Sequence, residues 1–137
     1  MKRRPLSDYI YFLEAWMLLH AMKLAILIVP FKRIAGRIGK VHAETSLEPL
    51  VSDGIQHVEQ AIRRASRYTF HQSKCYDQAL TGKLMLQRRG LPSTLYFGLS
   101  KDSTNLLKAH AWVRCGSRII TGRVGAEGYT VIVCFGD

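Results

Sequence analysis

The chain has 137 residues and a mass of 15.5 kDa, the size of one domain, which excludes a large multidomain enzyme. Hydrophobic residues make up 47%, too many for a disordered chain and enough for one core without disulfide staples. Twenty lysines and arginines stand against ten acids, so the formal net charge is +10. That charge indicates an acidic partner: a nucleic acid, an anionic membrane or an acidic polypeptide.

The pattern in the first half predicts three helices. The first covers residues 6–29, with Ser7 and Asp8 supplying cap chemistry near its start and Pro30 ending it. A basic segment (31–40) and a loop (42–54) follow, and then helices over 55–65 and 75–89, the last stopped by Gly90. The apolar positions of the first helix fall at three- and four-residue steps: Leu6, Ile10, Leu13, Met17, Ala21, Leu24 and Ile28.

The second half changes to the two-residue period of strands. Strands are predicted over 95–99, 109–115, 117–121 and 129–135, with a glycine-rich loop over 122–128. Helices followed by antiparallel strands predict an α+β fold.

The N-terminus imitates a secretory signal but is expected to be neither a signal nor a span. Its apolar stretch is broken by His20 and Lys23, and the longest uninterrupted apolar run, Leu24–Val29, is far shorter than a bilayer requires. We therefore expect a soluble protein with no integral membrane span. Contact with a membrane surface stays open as an alternative, although apolar residues all around the first helix favour its burial in protein.

Three cysteines, at positions 75, 115 and 134, form no complete disulfide set and match no metal-binding spacing. Free thiols without a secretory signal point to a reducing compartment, so a cytoplasmic location is predicted. Cys115 and Cys134 lie in apolar strands and are interpreted as core residues.

Cys75 is the strongest candidate for chemistry. It opens a predicted helix next to Lys74, and the positive end of the helix dipole and a neighbouring cation both favour a thiolate. The alternative is a small buried cysteine with no chemical role.

His110 is the candidate base. It lies in a predicted strand between small residues, as Ala109-His110-Ala111-Trp112, and a cysteine nucleophile needs a base within hydrogen-bond reach. A satisfied core histidine is the alternative.

Motifs around both residues resemble the transglutaminase-like cysteine peptidases of lasso-peptide biosynthesis, which are related to the C-terminal domain of microcin-maturation proteins. The resemblance covers nearly the whole chain and rests on Cys75-x-x-Gln78-Ala79, Leu84-x-Leu86-x-Arg88-Arg89-Gly90-Leu91-Pro92, Tyr96-x-Gly98-Leu99, Ala109-His110-Ala111-Trp112-Val113 and, near the front, Pro30-Phe31-x-Arg33. It implies a papain/transglutaminase-like fold over residues 1–137, with a basic helical segment (1–41) before a catalytic core (42–137).

The resemblance also implies an activity. It would be a peptidase that removes the leader from a ribosomally made precursor peptide, with Cys75 as nucleophile, His110 as general base and acid, and no cofactor or metal. Its implied partners are the precursor's leader, a small separate leader-recognition protein and the macrolactam cyclase.

One departure from the family concerns the third catalytic residue. An Asp is expected about a dozen residues after His110, where this chain has Ile119-Ile120-Thr121-Gly122. The histidine would then be oriented by the Thr121 hydroxyl, a backbone carbonyl or a more distant acid. Gln72 is a candidate for the oxyanion hole and Trp112 for a wall of the substrate groove, against the alternatives of a solvated glutamine and a core tryptophan.

The positive charge is concentrated at the front of the chain. Residues 1–40 carry eight basic residues and two acids, more than half of the net charge. We expect this segment to dock the recognition protein or an acidic leader, unless it is only a solvated basic face. The candidates are Arg4, Lys23, Lys32, Arg33 and Arg37.

Other functions remain as alternatives. A basic module that binds nucleic acid or a membrane surface without catalysis would explain the charge, but no nucleic-acid-binding signature is present, so no nucleic acid partner is expected. An acyltransferase or transglutaminase could use the same Cys–His pair with an amine in place of water.

Overall fold

The computed structural model describes residues 5–70 and 74–137. Four helices are present in those ranges: α1 (Leu6–Ile28), α2 (Phe31–Ala35), α3 (Asp53–Ala65) and α4 (Cys75–Arg88). Five strands form one antiparallel sheet: β1 (Lys40–Val41), β2 (Thr94–Lys101), β3 (Leu107–Cys115), β4 (Arg118–Thr121) and β5 (Thr130–Gly136). The predicted α+β class is confirmed.

The sheet has the order β1-β5-β2-β3-β4. Strand β1, which precedes α3, was not predicted, because two exposed residues give no alternating pattern. The hairpin of β2 and β3 is in register over its whole length, so that Gly98 lies directly opposite His110.

The ends of α1 and α4 test the helix start and stop signals predicted from the sequence. Helix α1 begins after Pro5 without a side-chain cap, so the expected cap by Ser7 and Asp8 is wrong, and both lie inside the first turn. Helix α4 ends at Arg88, one residue before the predicted end, and Gly90, with a φ of +68°, closes the turn that follows, as predicted. The N–H groups of Gly90 and Leu91 donate to the carbonyls of Gln87 and Leu86, which satisfies the last turn of the helix.

The core lies between the helices and one face of the sheet. Helices α1, α3 and α4 pack together, and α4 also packs across β2, β3 and β4. The core-forming residues of each element include Leu19 of α1, Val58 of α3, Leu80 of α4, and Leu95 and Val113 of the sheet. This packing fixes the start of α4 relative to the strands.

The opposite face of the sheet is covered by the loop over residues 42–50. The buried Arg114 joins the two, because its guanidinium donates to the carbonyls of Thr45, Ser46 and Gly116 and to the Tyr96 hydroxyl. A charge buried at this depth requires such complete hydrogen bonding.

In the described residues, one helix, α1, is long and apolar enough to cross a membrane by length and composition alone. Buried helices of soluble proteins and N-terminal signal sequences also meet these criteria. The expected burial of α1 in protein holds for one side of the helix only: Ala15 and Leu19 are fully buried and Trp16 and Leu18 pack against the core, but ten of its 23 residues are exposed.

Candidate active site

Cys75 is the first residue of α4. The N–H groups of a first helical turn have no partner within the helix and carry partial positive charge, so this position favours an anion such as a thiolate. The buried Asp77 carboxylate caps the turn by accepting from the Lys74 N–H at 3.2 Å. The cap holds the start of the helix, and with it Cys75, in one conformation.

His110 is oriented by the backbone. Its Nε2 lies 2.7 Å from the carbonyl oxygen of Gly122. Because a carbonyl only accepts, the proton of the neutral imidazole lies on Nε2, and Nδ1 keeps the lone pair that a general base needs. The ring also stacks on Trp112, at 5.6 Å between centroids, and lies 5.0 Å from the Tyr129 ring.

Gly122 lies where the family's Asp is expected. Its φ of +71° suits glycine, and a Cβ here would lie 2.5 Å from the Ala111 carbonyl oxygen and 3.1 Å from the His110 Nε2. The Thr121 hydroxyl, the alternative orienting group, is buried and has no hydrogen-bond partner in the described part of the chain. Of the three expected ways to orient His110, the backbone carbonyl is therefore the one observed.

Cys75 and His110 line the same cavity, of about 400 Å³. No hydrogen bond joins the thiol to the imidazole among the described residues, and catalytic hydrogen bonds are often completed only when substrate binds. The rest of the cavity is almost entirely apolar, and its large side chains come from α2, α4, β2 and β5: Phe31, Tyr76, Phe97, Leu99, Ile132 and Val133.

Trp112 does not wall this cavity, which corrects the expectation from sequence. It is 6% exposed and stacks on Tyr96, with centroids 5.5 Å apart, on the sheet face opposite α4. Its neighbours Ala111 and Val113 face the helices instead. Successive strand residues alternate between faces, so the His110 ring lies with Trp112 on the side of β3 opposite α4, and substrate binding must bring the imidazole and the Cys75 thiol together.

The other two thiols are core residues. Burial raises the pKa of both Cys115 and Cys134, and the Cys115 Sγ lies 3.3 Å from the Pro92 carbonyl oxygen. Both are less exposed than Cys75, which is partly accessible. Reactivity at neutral pH is therefore expected at Cys75.

The basic docking candidates separate into groups. Arg33 and Arg37 line a second cavity, of about 400 Å³, between α1, α2 and α4, whose other lining residues are mostly apolar. Lys32 is exposed on α2, and Lys23 is half-buried on α1. Arg4 and Gln72 lie outside the described residues.

Two features of the site were not predicted. Asp77 could have been found from sequence, since an acid three residues after the residue preceding a helix is a capping signal. Phe31 was noted only as part of a motif, and its place in the cavity depends on α2 folding back onto Phe97 and Phe135. Among the described residues, no group of three His, Cys, Asp or Glu side chains could hold a metal ion.

A scan against protein families matches residues 18–134 to the transglutaminase-like superfamily. The chain therefore belongs to the transglutaminase-like superfamily, whose members often have cysteine protease or acyl-transfer activity. Searches of curated proteins and of solved structures each found no match.

Proposed function

We propose that the protein is a cysteine peptidase that removes the leader from a ribosomally made precursor, in the manner of the lasso-peptide leader peptidases it resembles. The observation that carries the proposal is the cavity shared by Cys75, at a helix N-terminus, and His110, held by the Gly122 carbonyl. Membership of the transglutaminase-like superfamily supports a cysteine nucleophile.

In the first step, the Cys75 thiolate attacks the carbonyl carbon of the scissile peptide bond. Nδ1 of His110 takes the thiol proton as substrate binding brings the two groups together. The first-turn N–H of Cys75 is placed to donate to the developing oxyanion. The C–N bond then breaks, His110 protonates the departing amine of the core peptide, and the leader stays attached to Cys75 as a thioester.

In the second step, water hydrolyses the thioester. His110 removes a proton from the water as it attacks, the C–S bond breaks, and the leader leaves with a free carboxylate. The Gly122 carbonyl keeps its hydrogen bond to Nε2–H through both steps, so the same nitrogen, Nδ1, acts each time. A carbonyl lacks the full negative charge of an Asp, and the imidazolium is correspondingly less stabilised.

The cavity also suggests what the substrate carries. Its apolar lining, from Phe31, Leu99 and Ile132 among others, would accept an aliphatic or aromatic side chain close to the scissile bond. A charged side chain would lose its hydration there without gaining a partner.

The groove that contains Arg33 and Arg37 is a docking place for a leader or recognition protein. Its apolar walls and two guanidinium groups suit a segment with apolar and acidic side chains. The macrolactam cyclase would then act on the freed core amine. All these partners would meet the protein in the reducing cytoplasm that its free thiols favour.

The test is incubation with a cognate precursor and its recognition protein, followed by mass spectrometry. Cleavage at one bond is expected, with loss of activity in Cys75→Ala and His110→Ala and full activity in Cys134→Ala. Unchanged cleavage in Cys75→Ala would falsify the mechanism. Arg33→Glu with Arg37→Glu should raise the KM for the leader without lowering kcat.

An acyltransferase is the second candidate, because the superfamily also includes such enzymes. It would form the same thioester and resolve it with an amine. Added primary amines would then appear in the leader product as amides, and hydrolysed leader would be the minor species.

A further inference from the structure

The outer side of α1 carries a continuous apolar stripe. Apart from Ser7, every exposed residue of this helix is apolar: Leu6, Tyr9, Ile10, Leu13, Met17, Ala21, Leu24, Leu27 and Ile28. At 1.5 Å per residue the stripe is about 33 Å long. Exposed apolar patches of this extent generally mark a binding surface.

The inner side of α1 is fixed to the domain. Glu14 forms ion pairs with Arg88 and Arg89, and the Trp16 indole donates to the Tyr68 carbonyl oxygen at 3.0 Å. Ala15 and Leu19 are fully buried against the other helices. If α1 left the domain to span a bilayer, the Glu14 charge would enter hydrocarbon without its partners. The helix is therefore suited to lie on a membrane rather than across it.

Basic side chains follow the C-terminal end of the stripe. Lys32, Arg33, Arg37 and Lys40 are all exposed, whereas the acids of residues 5–40 are Asp8 and the paired Glu14. An apolar helix face next to exposed cations is the pattern of peripheral proteins on anionic lipid, in which acyl chains contact the stripe and phosphates contact the cations. A second copy of this chain would bring the same positive charge to the interface, which disfavours self-association.

We propose that the protein docks on anionic membrane surfaces through the α1 stripe, with the helix parallel to the membrane plane and the domain on the side facing away. The cations after α1 give the docking its preference for anionic lipid. This attachment does not depend on the catalytic pair and adds a location to the proposed peptidase.

The test is co-sedimentation of the full chain with vesicles, in the absence of any peptide. Binding to mixed phosphatidylglycerol–phosphatidylcholine vesicles is expected to exceed binding to phosphatidylcholine alone, by about fivefold for each Lys or Arg close to the surface. Lys32→Gln with Arg33→Gln should reduce that preference.

Leu13→Glu with Met17→Glu places charges at the centre of the stripe and should abolish binding. Both positions are more than half exposed, so the fold should survive, as a thermal melt will show. Leu106→Glu with Leu107→Glu, at exposed apolar positions of the β2–β3 hairpin, is the matched control and should bind as the wild type does.

Two results would overturn the proposal. One is sedimentation of the wild type that is equal with and without phosphatidylglycerol, or absent with both. The other is a dimer, measured by light scattering, that the Leu13→Glu and Met17→Glu changes convert to a monomer, since the stripe would then bind a second copy. Cys75→Ala should sediment as the wild type does, so a failed peptidase and a failed docking surface are distinguishable.

Discussion

Gly122→Ala tests how His110 is held. The backbone of Gly122 has a φ of +71°, and the added Cβ would lie 2.5 Å from the Ala111 carbonyl oxygen. Gly125 provides the matched control in the same loop, because its φ is +83° and an added Cβ would have no neighbour within 4 Å.

The two substitutions share one cost and differ in another. A left-handed backbone costs an alanine about 1–2 kcal/mol, and this applies to both positions. At Gly122 the Cβ must also displace β3 or its own loop, which we expect to add about 1–2 kcal/mol. Gly122→Ala should therefore lower the free energy of unfolding by about 2–4 kcal/mol, against about 1–2 kcal/mol for Gly125→Ala.

Urea unfolding measures these free energies. The rate at which iodoacetamide alkylates Cys75, followed by mass spectrometry, measures how far each substitution disturbs the assistance from His110. Moving the Gly122 carbonyl by about 1 Å should reduce the contribution of His110 to the Cys75 alkylation rate by up to about 100-fold. In the Gly125→Ala variant, Cys75 should react at the wild-type rate. The reasoning is refuted if both variants are stable enough to assay and alkylate Cys75 at the wild-type rate across the pH range.

Three further predictions concern the core and the cavity. Asp137→Asn removes the counter-charge of the buried Lys83, whose ammonium lies 2.7 Å from the carboxylate, and should cost about 2 kcal/mol of unfolding free energy. Burial holds the pKa of Lys83 below its ordinary value of 10.5, so the unfolded chain binds that proton more tightly than the folded protein does. The free energy of unfolding of the wild type should therefore rise as the pH is raised toward about 10.5, as measured by urea unfolding at a series of pH values. Ile132→Glu places a carboxylate in the cavity and should reduce kcat/KM for a precursor with an apolar residue at the scissile bond by at least about tenfold. Val124→Glu, at an exposed position, should leave kcat/KM unchanged. Equal values for the two variants would contradict the assignment of Ile132 to the cavity lining.

Local signals in the sequence were sufficient for the three long helices, for strands β2 to β5 and for the candidate pair, but not for the short elements α2 and β1. The turn at Gly90, the helix that starts at Cys75 and the strand that contains His110 all depend on residues close to one another in the chain. The apolar period of α1 predicted its length to within one residue, but it could not say which side would be buried, because the helix is apolar all around. That choice depends on Glu14, whose ion-pair partners Arg88 and Arg89 are more than 70 residues away.

The orientation of His110 could not be predicted from local sequence patterns either, because it also depends on residues that are distant in the chain. The pairing of β3 with β4 shifts in register between Val113 and Arg114. This shift helps to set where the end of β4 places the Gly122 carbonyl relative to His110. A backbone carbonyl also leaves no side-chain signature in the sequence. The motif therefore indicated that an acid was missing, but only the register shows which group takes its place.

The central claim is that Cys75 is a nucleophile assisted by His110, and the pH dependence of Cys75 alkylation in the wild type and in His110→Ala tests it most directly. The account predicts that wild-type Cys75 reacts at neutral pH at least about tenfold faster than in His110→Ala, because the imidazole accepts the thiol proton. Cys115 and Cys134 serve as internal controls and should stay unlabelled at neutral pH, since burial raises the pKa of both thiols. Superimposable pH profiles for Cys75 in the two proteins would contradict the account.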